Sequence, residues 1–191
     1  MVSIRNTTST VESRILDAAA AAVLANGVDR VTLAEIARRA RVSRPTIYRR
    51  WHDIRFVLAD LLTQRIAGVL DHVPDRGNDR EALVKRIVAV AERLRGDEVV
   101  MSVLRAPSFA MVYIAERLGT SQQILIDTLA QAIKLAQEDG SVRSGEPRQL
   151  AAMCLLITQS TIQSAQMVAP ILDADALATE LAHSLNGYLR P

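Results

Sequence analysis

Apolar residues in this chain recur every three or four positions rather than alternately, and caps, glycines and prolines interrupt the recurrence. Ile15, Ala18, Ala19, Ala22 and Val23 fall at i, i+3, i+4, i+7 and i+8, the single stripe of an amphipathic helix. Ser9-Thr10-Val11-Glu12 precedes this stripe with the spacing of a capping box, and Asn26-Gly27 ends it, because glycine tolerates a left-handed cap. Thr32-Leu33-Ala34-Glu35 repeats the box and opens a second helix through about Ala40. Ser43 caps a third, with Pro45 in the first turn, where a missing amide hydrogen costs nothing; this helix is expected to reach about Trp51. Asp53 caps a fourth, running to about Asp71. Pro74-Asp75-Arg76-Gly77-Asn78 is the clearest break in the chain. Beyond it the pattern predicts helices over about 79–95, 98–105, 108–118, 121–139, 147–168 and 174–189, and residues 1–8 read as a loose arm.

The expected fold class is therefore all-α, and composition agrees. Of 191 residues, 49% are hydrophobic and only 3% aromatic, so packing must come from alanine and aliphatic side chains that favour helices. One stretch invites another reading: residues 149–172 carry no charge and are long enough to cross a bilayer. They also hold eight Gln, Ser or Thr residues, too polar for a lone helix facing lipid, so the expectation is a helix buried between others and no membrane span. The first ten residues have no apolar core of the kind an export signal needs, and the single cysteine, Cys154, excludes an internal disulfide framework. Both lead to a cytoplasmic expectation.

The net charge of +2 says little, but its distribution says more. Residues 1–60 hold ten arginines against six acids, about +4, while the remainder holds thirteen basic residues against fifteen acids, about −2. Between Ile36 and His52 there are six arginines and no acid. A basic head on a slightly acidic body points to nucleic acid at one end and another task at the other. The expected division is a head at 1–52 and a body at 53–191. Within the head only Arg41-Val42-Ser43 separates the second helix from the third. So short a turn makes the two cross steeply and lets the third project. Val42, Ile47 and Trp51 share its inner side; Arg44, Pro45, Tyr48 and Arg49 share the other, with Thr46 beside them. Such a face suits a major groove, since arginine bonds guanine bidentately, apolar atoms touch thymine methyls, and hydroxyls with helix-terminal amides hold phosphate.

At this point the sequence resembles the TetR-type regulators. Ile15-Leu16-Asp17-Ala18-Ala19 with Asn26-Gly27-Val28 resembles that family's first helix, and Val31-Thr32-Leu33 with Ile36-Ala37 its second. Ala40 through Trp51, Ala-Arg-Val-Ser-Arg-Pro-Thr-Ile-Tyr-Arg-Arg-Trp, resembles its turn and recognition helix. The resemblance spans about residues 11–62; the remainder matches in length and helical character. It implies an all-helical homodimer whose heads bind a palindromic operator and whose bodies hold a small effector that weakens DNA binding. Carried over by position, Thr32 and Ser43 cap helices against phosphates, Arg44, Pro45, Thr46 and Arg49 face base edges, and Tyr48 and Arg50 hold the backbone. Three positions depart from the family pattern. Arg41 stands for the usual turn glycine, Val23 for an aromatic, and Ile54 for a phosphate-gripping lysine that Arg55 can replace only from a direction about 100° round the helix.

The body shows no catalytic signature: no metal-like spacing among His52, His72 and His183, no phosphate loop and no nucleophile elbow. No catalytic residue, metal or cofactor is therefore expected. Ligand contacts are sought in two places. Thr158, Gln159 and Ile162 lie on the uncharged helix, where polar groups can either orient a ligand or bond across a two-fold interface. Met101, Phe109 and Tyr113 lie near the Pro107 break, where they either line an adaptable, largely apolar cavity or form plain core. Helices 147–168 and 174–189 resemble the family's dimer pair. Two rival readings remain at this level: a DNA-binding regulator controlled by a partner or by abundance, without an effector, and, more remotely, an all-α enzyme.

Overall fold

A computed structural model describes residues 10–107 and 119–191, and every regular element among them is helical. In order these are α1 (Val11–Asn26), a 3-10 turn (Val28–Arg30), α2 (Leu33–Arg39), α3 (Arg44–Tyr48), α4 (Ile54–His72), α5 (Arg80–Gly96), α6 (Glu98–Arg105), α7 (Thr120–Glu138), α8 (Pro147–Val168) and α9 (Ala174–Leu189). The helix expected at 108–118 lies outside the described residues.

Side-chain caps set most of the helix starts. The Thr10, Thr32 and Ser43 hydroxyls accept from the amides of Ser13, Glu35 and Thr46, and the Asp53, Asp79, Asp97 and Asp173 carboxylates do the same for α4, α5, α6 and α9. Each satisfies an amide that no helical carbonyl can reach. Two caps differ from the sequence pattern. Helix α1 is capped by Thr10, one residue later than a box at Ser9, which lies outside the described residues; Glu12 reaches Arg50 instead. At α2 only half the box forms as expected. The Glu35 carboxylate accepts from Asn26 Nδ2 at 2.7 Å and from Arg39 Nε at 2.9 Å, which ties α1 to α2.

Helix α3 is shorter than the expected 43–51. It ends at Tyr48, and Arg49–Arg50 form a turn. The cause is Trp51: its indole is 2% exposed and donates to Asp60 Oδ2 at 2.8 Å, so the chain turns inward to dock on α4. That bond satisfies the polar end of a large buried ring.

One core runs from head to body. Helix α1 packs on α2, α4 and α6; α2 on α3; α4 on α5, α6 and α7; α5 on α7, α8 and α9; and α8 on α7 and α9. Helix α8 is not enclosed on every side, contrary to the expectation for an uncharged helix. Cys154, Leu155, Thr158 and Ile162 are buried, while Met153 and Leu156 are 42% and 59% exposed on its other face. No helix among the described residues is long and apolar enough to cross a membrane.

Candidate nucleic-acid interface and body cavity

The turn between α2 and α3 begins with a hydrogen-bond pattern that residue type alone does not demand. Val42 N donates to Ala37 O at 3.0 Å and Arg41 N to Arg38 O at 3.3 Å, the paired bonds of a Schellman helix end. This closure requires a left-handed residue between them, and Arg41 supplies it at φ 54°, the one non-glycine residue with positive φ among those described. Arginine keeps the geometry at a cost of about 1–2 kcal/mol. Ser43, extended at φ −69° and ψ 151°, then starts α3. Its hydroxyl accepts from Thr46 N at 3.3 Å and lies 2.7 Å from Thr46 Oγ1.

Helix α3 is anchored on one side and open on the other. Ile47 is fully buried and Trp51 nearly so, whereas Arg44, Pro45, Tyr48 and Arg49 are exposed and Thr46 is half-buried. Thr32, at the start of α2, is also exposed. Among the described residues, Arg44 and Arg49 form no ion pair, so their guanidinium groups stay available.

Two other arginines are engaged within the fold. Arg50 Nη2 bonds Glu12 Oε1 at 2.5 Å, and its guanidinium lies 5.2 Å from the centre of the Trp51 ring. Arg55 holds Asp53 through Nε at 3.2 Å and Nη2 at 2.9 Å. The side-chain hydrogen bond from Arg55, then its backbone amide, holds the Asp53 carboxyl below the usual carboxylate range. Position 54 carries a half-buried isoleucine that packs on the core.

The second feature is a cavity of about 100 Å³ in the body, lined almost wholly by apolar side chains of α4, α5, α6, α7 and α8. A volume of ~10–15 Å³ lodges one water, so this space is several times larger. Thr158, Gln159 and Ile162 line it. Met101 does not. It is 4% exposed in the core, and α6 presents Val100 and Leu104 to the cavity instead. Those two lie one turn apart on a single face, which places position 101 about 100° away. Phe109 and Tyr113 lie outside the described residues. The Thr158 hydroxyl donates to Cys154 O at 2.8 Å, and Gln159 Oε1 accepts from Gln122 Nε2 at 2.9 Å. The sequence pattern missed Arg86 and Gln122, which also line the cavity. Each sits in an ordinary helical stretch, and only the packing of α5 and α7 turns them inward. Cys154 is fully buried, and burial pushes its thiol up to about 11.

A three-helix head with an outward basic recognition helix, set on a helical body with an apolar cavity, is the architecture of a helix-turn-helix transcriptional regulator. The family model for bacterial regulatory proteins of the tetR family matches residues 15–58. An uncharacterized HTH-type transcriptional regulator of Mycobacterium bovis, Mb2274c, is 63% identical over 189 residues, covering 99% of this chain and 100% of that protein. The chain belongs to the TetR family and is a DNA-binding regulator of transcription. The solved structure of FadR from Thermus thermophilus in complex with lauroyl-CoA aligns at a TM-score of 0.69 and 23% identity, covering 93% of this chain and 92% of that one. RolR in complex with resorcinol aligns at 0.70 and 16%, covering 94% and 87%. Both likenesses extend the fold through the body.

Proposed function

We propose that this regulator acts in the cytoplasm as a homodimeric repressor that binds a palindromic operator and is released by a small molecule bound in the body cavity. Residues 1–52 form the reading head and 53–191 the effector and dimer body. The observation that carries the proposal is the open face of α3: Arg44, Pro45, Tyr48 and Arg49 lie outward while Ile47 and Trp51 hold the helix from behind. Arg44, Pro45, Thr46 and Arg49 face base edges. Thr32, Ser43, Tyr48, Arg50 and Arg55 serve the phosphate backbone, the last two by exchanging Glu12 and Asp53 for phosphate.

Release follows from shared helices. Leu62, Ile66 and Leu70 of α4 and Val100 and Leu104 of α6 line the cavity, and both helices pack against α1. An effector that fills the space shifts helices that also hold the head. A coupling of about 1–3 kcal/mol is enough for a 5–150-fold loss of operator affinity. The complexes of T. thermophilus FadR with lauroyl-CoA and of RolR with resorcinol support a body of this fold holding a small molecule. Dimerisation through α8 and α9 is supported by the exposed Met153 and Leu156, a self-complementary contact of the kind a two-fold operator needs. The body carries no catalytic task in this reading.

Selection of bound sequences from random DNA by the purified full-length protein tests the proposal. The expected product is an enriched palindrome with half-sites about 34–36 Å apart or a multiple of it. Absence of any enriched sequence overturns the reading of α3. An enriched palindrome whose binding no small molecule affects leaves control to a partner or to abundance.

A further inference from the structure

The cavity has two unlike ends. Arg80, at the start of α5, donates from its backbone amide to Ser141 Oγ at 2.8 Å and from Nη1 to Ser141 O at 3.3 Å, so α5 begins where α7 finishes. Arg86, one turn inside Leu83, therefore lies toward the end of the cavity remote from Gln122, which is near the start of α7. The stretches that line it, Leu62 to Leu70 on α4, Leu83 to Leu94 on α5 and Gln122 to Ala132 on α7, are nine to twelve residues long. At 1.5 Å per residue the space is roughly 12–17 Å from end to end.

At the Gln122 end the described polar groups are neutral and bonded to one another. The Gln122 carboxamide accepts from Gly119 N at 2.9 Å and donates to Gln159 Oε1. The Arg86 end is cationic and incompletely bonded. Nη1 bonds Asp75 Oδ2 at 2.9 Å, an acid 58% exposed on the loop before α5, while Nε is buried with no hydrogen-bond partner. A desolvated donor on a charged group without an acceptor is a costly arrangement. An anionic oxygen pair is the group that best relieves it, because carboxylates and guanidinium groups bond bidentately.

We propose, building on the effector reading above, that the cavity takes a narrow amphipathic anion: an unbranched apolar chain along α4, α5 and α7, with a free carboxylate at Arg86.

The test is a calorimetric titration of the full-length dimer with decanoate, 1-decanol, methyl decanoate and decanoyl-CoA, paired with release of the selected DNA by each. Decanoate is expected to bind about tenfold or more tightly than the alcohol or the ester and to release DNA. Arg86→Gln removes that preference while the variant still binds DNA. Asp75→Asn, which takes away the competing carboxylate, strengthens decanoate binding and guards against an Arg86 variant that fails to fold. Neutral compounds that bind as well as decanoate, or a preference that survives Arg86→Gln, overturn the assignment of Arg86 and leave the effector reading standing. Binding of decanoyl-CoA without decanoate also overturns it, because a thioester carbonyl brings no charge to Arg86. Uptake of none of the four by a protein that binds its selected DNA overturns this inference and leaves the effector reading standing.

Discussion

Arg41 and Asp53 bracket the recognition segment, and each holds its place by backbone chemistry. Arg41 occupies a left-handed position that the Schellman closure of α2 requires. Glycine there removes the steric cost but loosens the unfolded chain, so Arg41→Gly is expected to raise stability by about 0.5–1 kcal/mol. Urea unfolding of the two proteins measures this, and a fall in the midpoint would mean that the arginine side chain contributes more than its backbone costs. Asp53 carries a pH signature. Its carboxyl is lowered by Arg55, so its stabilising effect is present above the ordinary carboxylate value and is lost as pH falls through the folded value. Asp53→Asn is expected to flatten the dependence of the urea midpoint on pH below about 4 and to lower the midpoint modestly at neutral pH, because asparagine keeps the cap but not the charge-assisted bonds from Arg55.

At the scale of elements, α3 is only Arg44–Tyr48, too short to be stable alone. It is held by Ile47 beneath it and by the Trp51–Asp60 bond to α4. This arrangement separates two kinds of arginine. Arg44 and Arg49 are on the outward face, so Arg44→Ala and Arg49→Ala are each expected to cost about 1–3 kcal/mol of specific binding and to relax the preferred base at one position. Arg50 is paired with Glu12, both partners about half-exposed, a contact worth at most about 1 kcal/mol that a phosphate can displace. Arg50→Ala is therefore expected to weaken selected and unrelated DNA alike and to reduce the salt slope by about one. Fluorescence anisotropy over a range of salt concentrations distinguishes the two classes. A loss of base preference in Arg50→Ala would move that residue onto the reading face.

At the scale of the molecule, the exposed side of α8 asks for a cover. Met153 and Leu156 lie one turn apart on a helix whose other side is buried, and a second copy of the same helix is a symmetric way to remove both from water. Leu156→Glu is expected to convert a dimer to a folded monomer in sedimentation or light scattering, with operator affinity falling at least about tenfold because each half-site then binds alone. A dimer that persists would place the two-fold contact elsewhere.

The order and approximate extent of the helices were legible in the sequence, because caps such as Thr32, Ser43, Asp53 and Asp97 and the spacing of apolar residues act within a turn or two. The basic character of α3 was legible too, since Arg44 and Arg49 flank a helix whose inward anchor, Ile47, stands out by its apolar side chain; that Arg44, only three positions before Ile47, is exposed was decided by the packing. What depends on partners distant in the chain was not. The early end of α3 follows from Asp60, nine residues beyond Trp51; the diversion of Arg50 follows from Glu12, thirty-eight residues before it. The polar ends of the cavity, Arg86 and Gln122, exist only where α4, α5, α7 and α8 converge. Helical periodicity says which side of a helix is apolar, but the other helices decide whether that side meets core, cavity or a second chain, since this depends on packing across the whole fold rather than on neighbours in sequence.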